Sequence, residues 1–290
     1  MAINNEPPTV KTELSWAVPF LQKSSISSAR LEAEVILAYV LSWDRVKLLT
    51  NLFSKIDSAK QQSFRKLVGQ RATHYPLQYL LGRQEFMSIE FQVNPSVLIP
   101  RDDTGILVEE VLKLKGKTPL NSRIVDVGTG SGAIAVALKR FWTEAQVSAV
   151  DISAQALEVA RENSARAGVK IDFVQGDLLQ PFLKENSKFD IIVSNPPYIP
   201  TEQLPLLQPE VTYEPHLALD GGTDGLVFYR RLAEEAPKLL ASGGWLAMEI
   251  GCEQSESVAK LLAGKFTNIQ TFKDYAGLER VVLAKKSDFS

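Results

Sequence analysis

Two short stretches of this chain combine residue type and spacing in ways that suggest chemistry. The first is Gly128-Thr129-Gly130-Ser131-Gly132, which follows the apolar run Arg123-Ile-Val-Asp-Val127 and precedes a helical pattern beginning near Ala133. Glycines at a strand-to-helix turn let the backbone bend sharply and let a ligand lie against it with no Cβ in between. The spacing is G-x-G-x-G. The dinucleotide fingerprint G-x-G-x-x-G would place its third glycine at Ala133, so a dinucleotide fits poorly. Asp126, at the strand end, can face an ammonium group but would repel a pyrophosphate, which favours a zwitterionic amino-acid moiety. Nineteen residues beyond Gly132, Asp151 ends a second strand, placed to accept both ribose hydroxyls of a nucleoside. Asp177, in Gln175-Gly-Asp-Leu178, follows a third strand, where it can receive an adenine amino group while Leu178 covers the ring. Acids at three successive strand ends would bind an amino acid, a ribose and an adenine in order. That is the layout expected for S-adenosylmethionine; a plain tight turn would account for the glycines but not for the acids.

The second stretch is Asn195-Pro196-Pro197-Tyr198, directly after the strand Phe189-Asp-Ile-Ile-Val-Ser194. Two prolines remove two backbone donors and fix φ, so nearby carbonyls are held outward without strand partners. The side-chain carbonyl of Asn195 and a main-chain carbonyl, that of Pro196, make a two-acceptor clamp for the hydrogens of a planar NH2 group. Tyr198 offers a flat surface against which an amide or base can pack. An amide nitrogen is a poor nucleophile because its lone pair is delocalised. A clamp that holds it in line with an electrophilic methyl and favours pyramidalisation supplies orientation without a strong base. The proton can leave after the methyl arrives, which suits a site with no histidine nearby.

The elements that must position these motifs fall into two groups. From about Glu13 to Arg83 apolar residues recur at helical spacing, as in Leu31, Val35, Leu37, Ala38 and Leu41, with Ser28 a candidate N-cap. Further helices are expected over Val46 to Phe53, over Ala59 to Thr73 capped by Asp57 or Ser58, and over Pro76 to Leu81, stopped by Gly82. Trp16 and Trp43 are expected to pack this domain. Glu85 to Ile99 alternates Phe86, Ile89, Phe91 and Val93 with polar residues and reads as a β-hairpin turning at Asn94-Pro95. Beyond it, strands expected at Arg123–Asp126, Gln146–Asp151, Ile171–Val174, Phe189–Ser194, Trp245–Ile250, Thr267–Phe272 and Arg280–Ala284 alternate with helices at Gly132–Phe141, Ala154–Ala167, Leu226–Leu240 and Gln254–Leu262. This alternation implies a doubly wound α/β domain with a mostly parallel sheet, because parallel neighbours need crossover connections. The expected division is 1–84 helical and substrate-docking, 85–100 a hairpin linker, and 101–290 the domain that carries the chemistry.

Composition sets the outer limits. The chain has 290 residues, 45% hydrophobic and 23% charged, which is ordinary globular composition with room for two domains. Its formal charge of −2 is not that of a protein that coats nucleic acid. Residues 1–94 carry 11 basic and 8 acidic side chains, a mild excess that fits a solvated helical surface or a docking face. One cysteine, Cys252, cannot form an internal disulfide and is expected to be a small buried residue; His74 and His216 are isolated, in solvated or hydrogen-bonded roles. A reducing compartment fits. Met1 to Lys11 shows no apolar stretch of a signal peptide, the first ten residues read as a loose lead-in, and no run of 18 apolar residues would span a membrane. A cytoplasmic monomer is expected.

The residues also carry a resemblance. Pro76-Leu-Gln-Tyr-Leu-Leu-Gly82, Glu85-Phe86, Leu98-Ile-Pro-Arg101, Val125 to Gly132, Ser194 to Pro200, Glu210-Val211 with Glu214-Pro215, Gly221-Gly-Thr-Asp-Gly225, and Gly243-Gly-Trp-Leu246 with Glu249-Ile-Gly251 together resemble the PrmC/HemK family of protein-(glutamine-N5) methyltransferases. The similarity covers nearly the whole chain after the first dozen residues. It implies a Rossmann-like class I S-adenosylmethionine-dependent methyltransferase domain with a seven-stranded sheet, a small all-α N-terminal domain, and a β-hairpin between them. The activity implied is methylation of the Gly-Gly-Gln glutamine of class I peptide chain release factors in support of translation termination, with no membrane or direct nucleic-acid partner. Implied cofactor contacts are Gly128 to Gly132, Asp151, Asp177, Leu178 and Asn195, with Arg101 and the helix after it lining the cofactor side; Asn195 to Tyr198 would hold the substrate amide. Where the family usually continues Arg-Pro-Glu-Thr-Glu, this chain has Arg101-Asp-Asp-Thr-Gly105, so Asp103 keeps an acid one methylene shorter and Gly105 loses one. The Asn-Pro-Pro-Tyr tetrapeptide is shared with enzymes that methylate nucleic-acid amino groups (adenine N6, guanine N2). That alternative needs a large basic recognition region of which the charge supplies little. A cofactor-binding scaffold without activity is the third reading.

Overall fold

The computed structural model describes residues 8–287, so residues 1–7 of the expected lead-in lie outside the described residues. The chain divides into two compact units, Met1–Gly82 with Gln208–Tyr213, and Arg83–Leu207 with Glu214–Ser290.

The first unit is built from α1 (Val10–Lys23), α2 (Ala29–Leu41), α3 (Arg45–Thr50), α4 (Ser58–Arg71) and α5 (Leu77–Leu81). Thr9 and Thr12 form a reciprocal capping box at the start of α1, and Asp57, not Ser58, caps α4 through the Lys60 N–H. Ser28 precedes α2 but its side chain makes no capping bond. The apolar faces meet in one core around Leu21, Ile36, Leu37, Leu48, Phe64 and Val68, with Trp16 and Trp43 packed at its edge. Buried Glu13 binds Gln61 and Arg65 and so ties α1 to α4; a buried carboxylate is tolerable only with such partners. The segment Gln208–Tyr213 belongs here as well. Glu210 accepts from Arg71 (2.9 Å) and pairs with His74 (3.0 Å), and the Tyr213 hydroxyl donates to the Thr73 carbonyl (2.9 Å).

The second unit opens with a hairpin of β1 (Arg83–Phe86) and β2 (Ile89–Gln92), shorter and earlier than the sequence suggests. Its turn is Met87-Ser88, both at positive φ (49° and 61°), not Asn94-Pro95. Positive φ at both central positions matches the twist of paired strands, and here it occurs without the glycine or asparagine that would have signalled it. Asn94 instead organises a separate turn, its carbonyl accepting from Val97 N–H. The hairpin is no free tether, since Phe86 and Phe91 are in the core.

There follow α6 (Thr104–Leu112), β3 (Arg123–Val127), α7 (Ala133–Phe141), β4 (Gln146–Asp151), α8 (Ala154–Arg166), β5 (Asp172–Gln175), α9 (Gln180–Glu185), β6 (Phe189–Ser194), α10 (Val227–Leu239), β7 (Leu240–Glu249), α11 (Ser255–Leu262), β8 (Phe266–Lys273) and β9 (Glu279–Lys286). The sheet order is β5-β4-β3-β6-β7-β9-β8, with only β9 antiparallel to its two neighbours. Alternate strand residues feed two apolar layers: Ile124, Ile191, Val193 and Ala247 with α6 and α7, and Val125, Val127, Ile192 and Met248 with α10 and α11. Of the helices, α6 was expected only through the resemblance, and α9, six residues long, was missed.

Asn163 on α8 joins three segments. It accepts from Gln92 N–H (2.7 Å) and donates to the carbonyls of Gln92 (3.0 Å) and Ser131 (2.8 Å), linking the hairpin and the glycine loop. Asn163→Ala orphans these buried groups and should cost about 2–3 kcal/mol in denaturant unfolding; a loss within about 0.5 kcal/mol would mean the loop does not depend on this anchor.

Candidate active site

Strands β3 and β6 are parallel neighbours in register, Val127 opposite Ser194, and the strand order reverses between them. At such a switch point the loops leaving the two strands diverge and open a crevice at their carboxyl ends. The glycine loop leaves β3 and Asn195-Pro196-Pro197-Tyr198 leaves β6, so the structure brings together the two motifs read from the sequence. The Ser194 hydroxyl donates to the Val127 carbonyl (2.8 Å) and stitches the strand ends.

In the glycine loop, Gly128, Gly130 and Gly132 all have positive φ, and at Gly132 a Cβ would stand 3.1 Å from that of Ala160, so α7 and α8 approach because it is glycine. Thr129 and Ser131 are buried between them. Asp126 points into the layer under α7 and is fully buried. Its Oδ2 accepts from the Thr129 hydroxyl (2.6 Å) and the Ala135 N–H (3.2 Å), while Oδ1 has no partner among the described residues. Burial, against those two bonds, pushes this carboxyl up to about 7. Asp151 holds the loop from the next strand. Its Oδ2 accepts from Gly130 N–H (2.8 Å) and its Oδ1 from Ser153 N–H (2.9 Å), and burial raises its pKa.

Asp177 and Leu178 follow β5, but the Asp177 carboxylate faces Arg231 on α10 in a bidentate pair at 2.9 and 2.8 Å. Both acceptor oxygens expected to meet an adenine amino group are thus engaged by a guanidinium fork. Leu178, at φ 48°, is half-buried against the layer under α10. Arg101 likewise pairs with a buried carboxylate, Glu214, whose other oxygen accepts from Ile99 N–H (3.0 Å). Cys252 is exposed, not buried, because it lies in the turn that follows β7.

Asn195 is half-buried and its Nδ2 donates to the Thr104 hydroxyl (3.3 Å). The Pro196 carbonyl accepts no hydrogen bond from the described residues. Tyr198 is fixed through its backbone: its carbonyl accepts from Gln254 Nε2 (2.9 Å), which also reaches the Gly225 carbonyl (3.3 Å), while Gln254 Oε1 accepts from Gly251 N–H (2.9 Å). Ile199 pairs with the 219–221 segment on both sides. A Cβ at Gly225 would stand 2.4 Å from the Tyr198 carbonyl, which explains the Gly-Gly-Thr-Asp-Gly stretch as the bed of the tetrapeptide. Burial pushes the Tyr198 hydroxyl up to about 12, so it stays neutral and serves as a surface, not a base.

Reading residues in sequence order missed three groups: Thr104 at the head of α6, Gln254, and Glu249. The last did leave a signal, an acid closing the apolar run Trp245-Leu-Ala-Met248. Its carboxyl is buried, Oε2 has no partner among the described residues, and burial pushes it up to about 7 against the Thr104 hydroxyl.

Asp126 and Glu249 bind protons more tightly folded than unfolded, so they contribute stability at low pH that is lost as pH rises through about 7. Without ligand, wild-type melting temperature should therefore fall more steeply between pH 5 and 7.5 than that of Asp126→Asn; parallel slopes would refute a desolvated Asp126. Gly225→Ala, at φ 71° and against the Tyr198 carbonyl, should lower turnover by about a hundredfold, because small misplacements of reacting groups cost that much. Turnover within twofold of wild type would disconnect this segment from the tetrapeptide.

The chain matches the model of the PrmC N-terminal domain over residues 13–82 and that of the methyltransferase small domain over residues 102–207. It is 44% identical over 276 residues to the release factor glutamine methyltransferase of Geobacter sulfurreducens, covering 94% of this chain and 95% of that one. It is 45% identical over 285 residues to the protein of the same name from Moorella thermoacetica, covering 97% and 99%. Among solved structures, the T. thermophilus 16S rRNA N2 G1207 methyltransferase in complex with AdoMet and guanosine superposes with a TM-score of 0.51 at 20% identity, over 71% of this chain and 50% of that one, which shows the class I methyltransferase fold. With relatives this similar across almost their whole length, the chain belongs to the family of release factor glutamine methyltransferases.

Proposed function

We propose that this enzyme transfers a methyl group from S-adenosylmethionine to the side-chain amide nitrogen, N5, of the glutamine in the Gly-Gly-Gln motif of class I peptide chain release factors. The observation that carries the reading is the pair of acceptors at the end of β6, the Asn195 side-chain amide and the unpartnered Pro196 carbonyl, in a chain more than 40% identical to release factor glutamine methyltransferases. The residues present fit the cofactor. Asp126 Oδ1 lacks a partner where the ammonium of its amino-acid end would lie, Gly128 to Gly132 leave the backbone bare beside it, and Asp151 stands at the next strand end for the ribose. Bound there, S-adenosylmethionine supplies an electrophilic methyl on a sulfonium sulfur.

The chain's own residues do the rest. Asn195 Oδ1 and the Pro196 carbonyl accept the two amide hydrogens and fix the nitrogen, and Tyr198 packs flat against the amide plane. The nitrogen–carbon bond would form as the sulfonium C–S bond breaks, leaving S-adenosylhomocysteine, and the two carbonyl dipoles stabilise the positive charge that passes to the nitrogen. The nitrogen then gives up one of its own two protons to solvent, so none need be removed beforehand. Leu178 lies on the adenine side; with Asp177 held by Arg231, the leucine face is the more available contact. Arg101, held by Glu214, lines the cofactor side, and its charge is felt at Tyr198. The helical unit, residues 1–84 in our division, docks the protein substrate; 85–100 joins it to the catalytic residues 101–290. The chain acts as a monomer in the cytoplasm, where translation terminates. Among the described residues no helix is long and apolar enough to cross a membrane. A nucleic-acid amine would meet the same clamp, but near-neutral charge and the identity to glutamine-modifying relatives favour the protein substrate.

Incubation with S-adenosylmethionine and a class I release factor should add one methyl, located by mass spectrometry on the Gly-Gly-Gln peptide. Replacing that glutamine should abolish the addition, and transfer that persists would refute the assignment. Asn195→Ala should slow transfer by at least about a hundredfold, as loss of an oriented polar group does.

A further inference from the structure

The clamp works only if Asn195 turns its oxygen, and not its NH2, toward the substrate amide. Nothing in the bond lengths of an amide enforces this choice. It must come from what surrounds the side chain. Asn195 follows Ser194 on β6, and Ser194 is in register with Met248 on β7, so Asn195 and Glu249 leave the sheet side by side. Glu249 is 2% exposed and one of its carboxylate oxygens has no partner among the described residues. Burial raises its pKa, while the nearby Thr104 hydroxyl, the charge of Arg280 and the Asn195 amide lower it and the charge of Asp103 raises it. Thr104, itself buried, is also the acceptor for Asn195 Nδ2 at 3.3 Å.

We propose that Glu249, acting through the Thr104 hydroxyl, is the positioning residue that sets which way round Asn195 holds its side-chain amide. The inference rests on the methyl-transfer reading above. Above about pH 7, where Glu249 is ionised, its carboxylate can only accept, and on this proposal it takes the single hydroxyl hydrogen of Thr104. The threonine oxygen then has only lone pairs to offer, and these select the NH2 end of Asn195. Oδ1 is left facing outward as the acceptor that a substrate NH2 requires. In the opposite orientation two NH2 groups would confront each other. Buried polar chains of this kind have one satisfied direction, and a donor placed at the wrong end reverses it.

The test compares wild type with Glu249→Gln, Thr104→Val, Thr104→Ser and the Glu249→Gln/Thr104→Val double variant. It measures kcat and KM with a class I release factor, and S-adenosylmethionine affinity by calorimetry. Glu249→Gln and Thr104→Val should each lower kcat on the order of ten- to a hundredfold, with KM and cofactor affinity within about twofold, since the lost alignment acts in the transition state. The double variant should be no worse than the worse single, because both break one chain. Thr104→Ser, which keeps the hydroxyl, should recover most of the rate lost in Thr104→Val. Folded single variants with kcat within twofold of wild type, or losses that multiply in the double, overturn the proposal. If Glu249→Gln does not fold, the contrast between Thr104→Val and Thr104→Ser decides alone, and equal rates for the two overturn it. A wild-type protein that does not methylate the release factor would refute the functional reading; an active wild type matched by its variants refutes only this inference.

Discussion

Everything at the site depends on β3 and β6 ending in register. Parallel strands deliver their carboxyl ends to the same edge of a sheet, and with Val127 opposite Ser194 the two loops that follow leave from one level. The same register carries outward to β4, where Asp151 closes the strand, and to β7, where Met248 stands opposite Ser194. A slip of one residue in any of these pairings would turn an acid from the crevice into an apolar layer or the reverse. The two layers, filled by alternate residues of the same strands, are what make such a slip expensive. Core packing thus sets the level at which the loops leave the sheet, and the contacts among the loops fix the residues they carry.

Upon that frame the molecule places acids where water is scarce. Asp126 and Glu249 are both buried, both retain an oxygen with no partner among the described residues, and both are pushed up to about 7 by desolvation. Buried carboxylates elsewhere in the chain have no such freedom: Glu13 is filled by Gln61 and Arg65, Glu34 by Arg30 and Arg45, and Glu214 by Arg101 and Ile99. The contrast separates two uses of the same side chain. A paired buried acid joins elements, whereas an incompletely satisfied one stores an unmet demand for a donor that a ligand or a neighbouring polar group can meet.

How much of this was legible in the sequence follows from the range of the forces involved. Strand ends, glycine turns and the proline-fixed tetrapeptide are local, so Gly128 to Gly132, Asp151 and Asn195 to Tyr198 could be named as motifs from their immediate neighbours. The hairpin turn was misplaced because Met87 and Ser88 adopt a left-handed conformation that their side chains do not advertise, while Asn94-Pro95 advertises a turn that serves another purpose. The engagement of Asp177 by Arg231, of Arg101 by Glu214 and of Tyr198 by Gln254 was not legible at all. These partners lie 54, 113 and 56 residues apart, and only the assembled sheet brings them together. Cys252 illustrates the same limit: it stands beside a buried strand end, yet the chain has already turned outward there.

The segment Arg101-Asp-Asp-Thr-Gly105 shows how the fold absorbs a change of pattern. Asp103 faces Arg280 at 3.5 Å from a half-exposed position, and Arg280 has a second, shorter partner in Asp274 at 2.9 Å, so the shorter acid leaves no cation unmet. At Gly105 a Cβ would meet only Met87, at an ordinary 3.9 Å, so no steric demand requires glycine there and none of the hydrogen bonds that shape the crevice passes through it. Thr104, between the two, is the residue whose hydroxyl touches Asn195. The departures at 102, 103 and 105 therefore leave that contact in place, because Asp103 and Gly105 flank Thr104 without taking part in it.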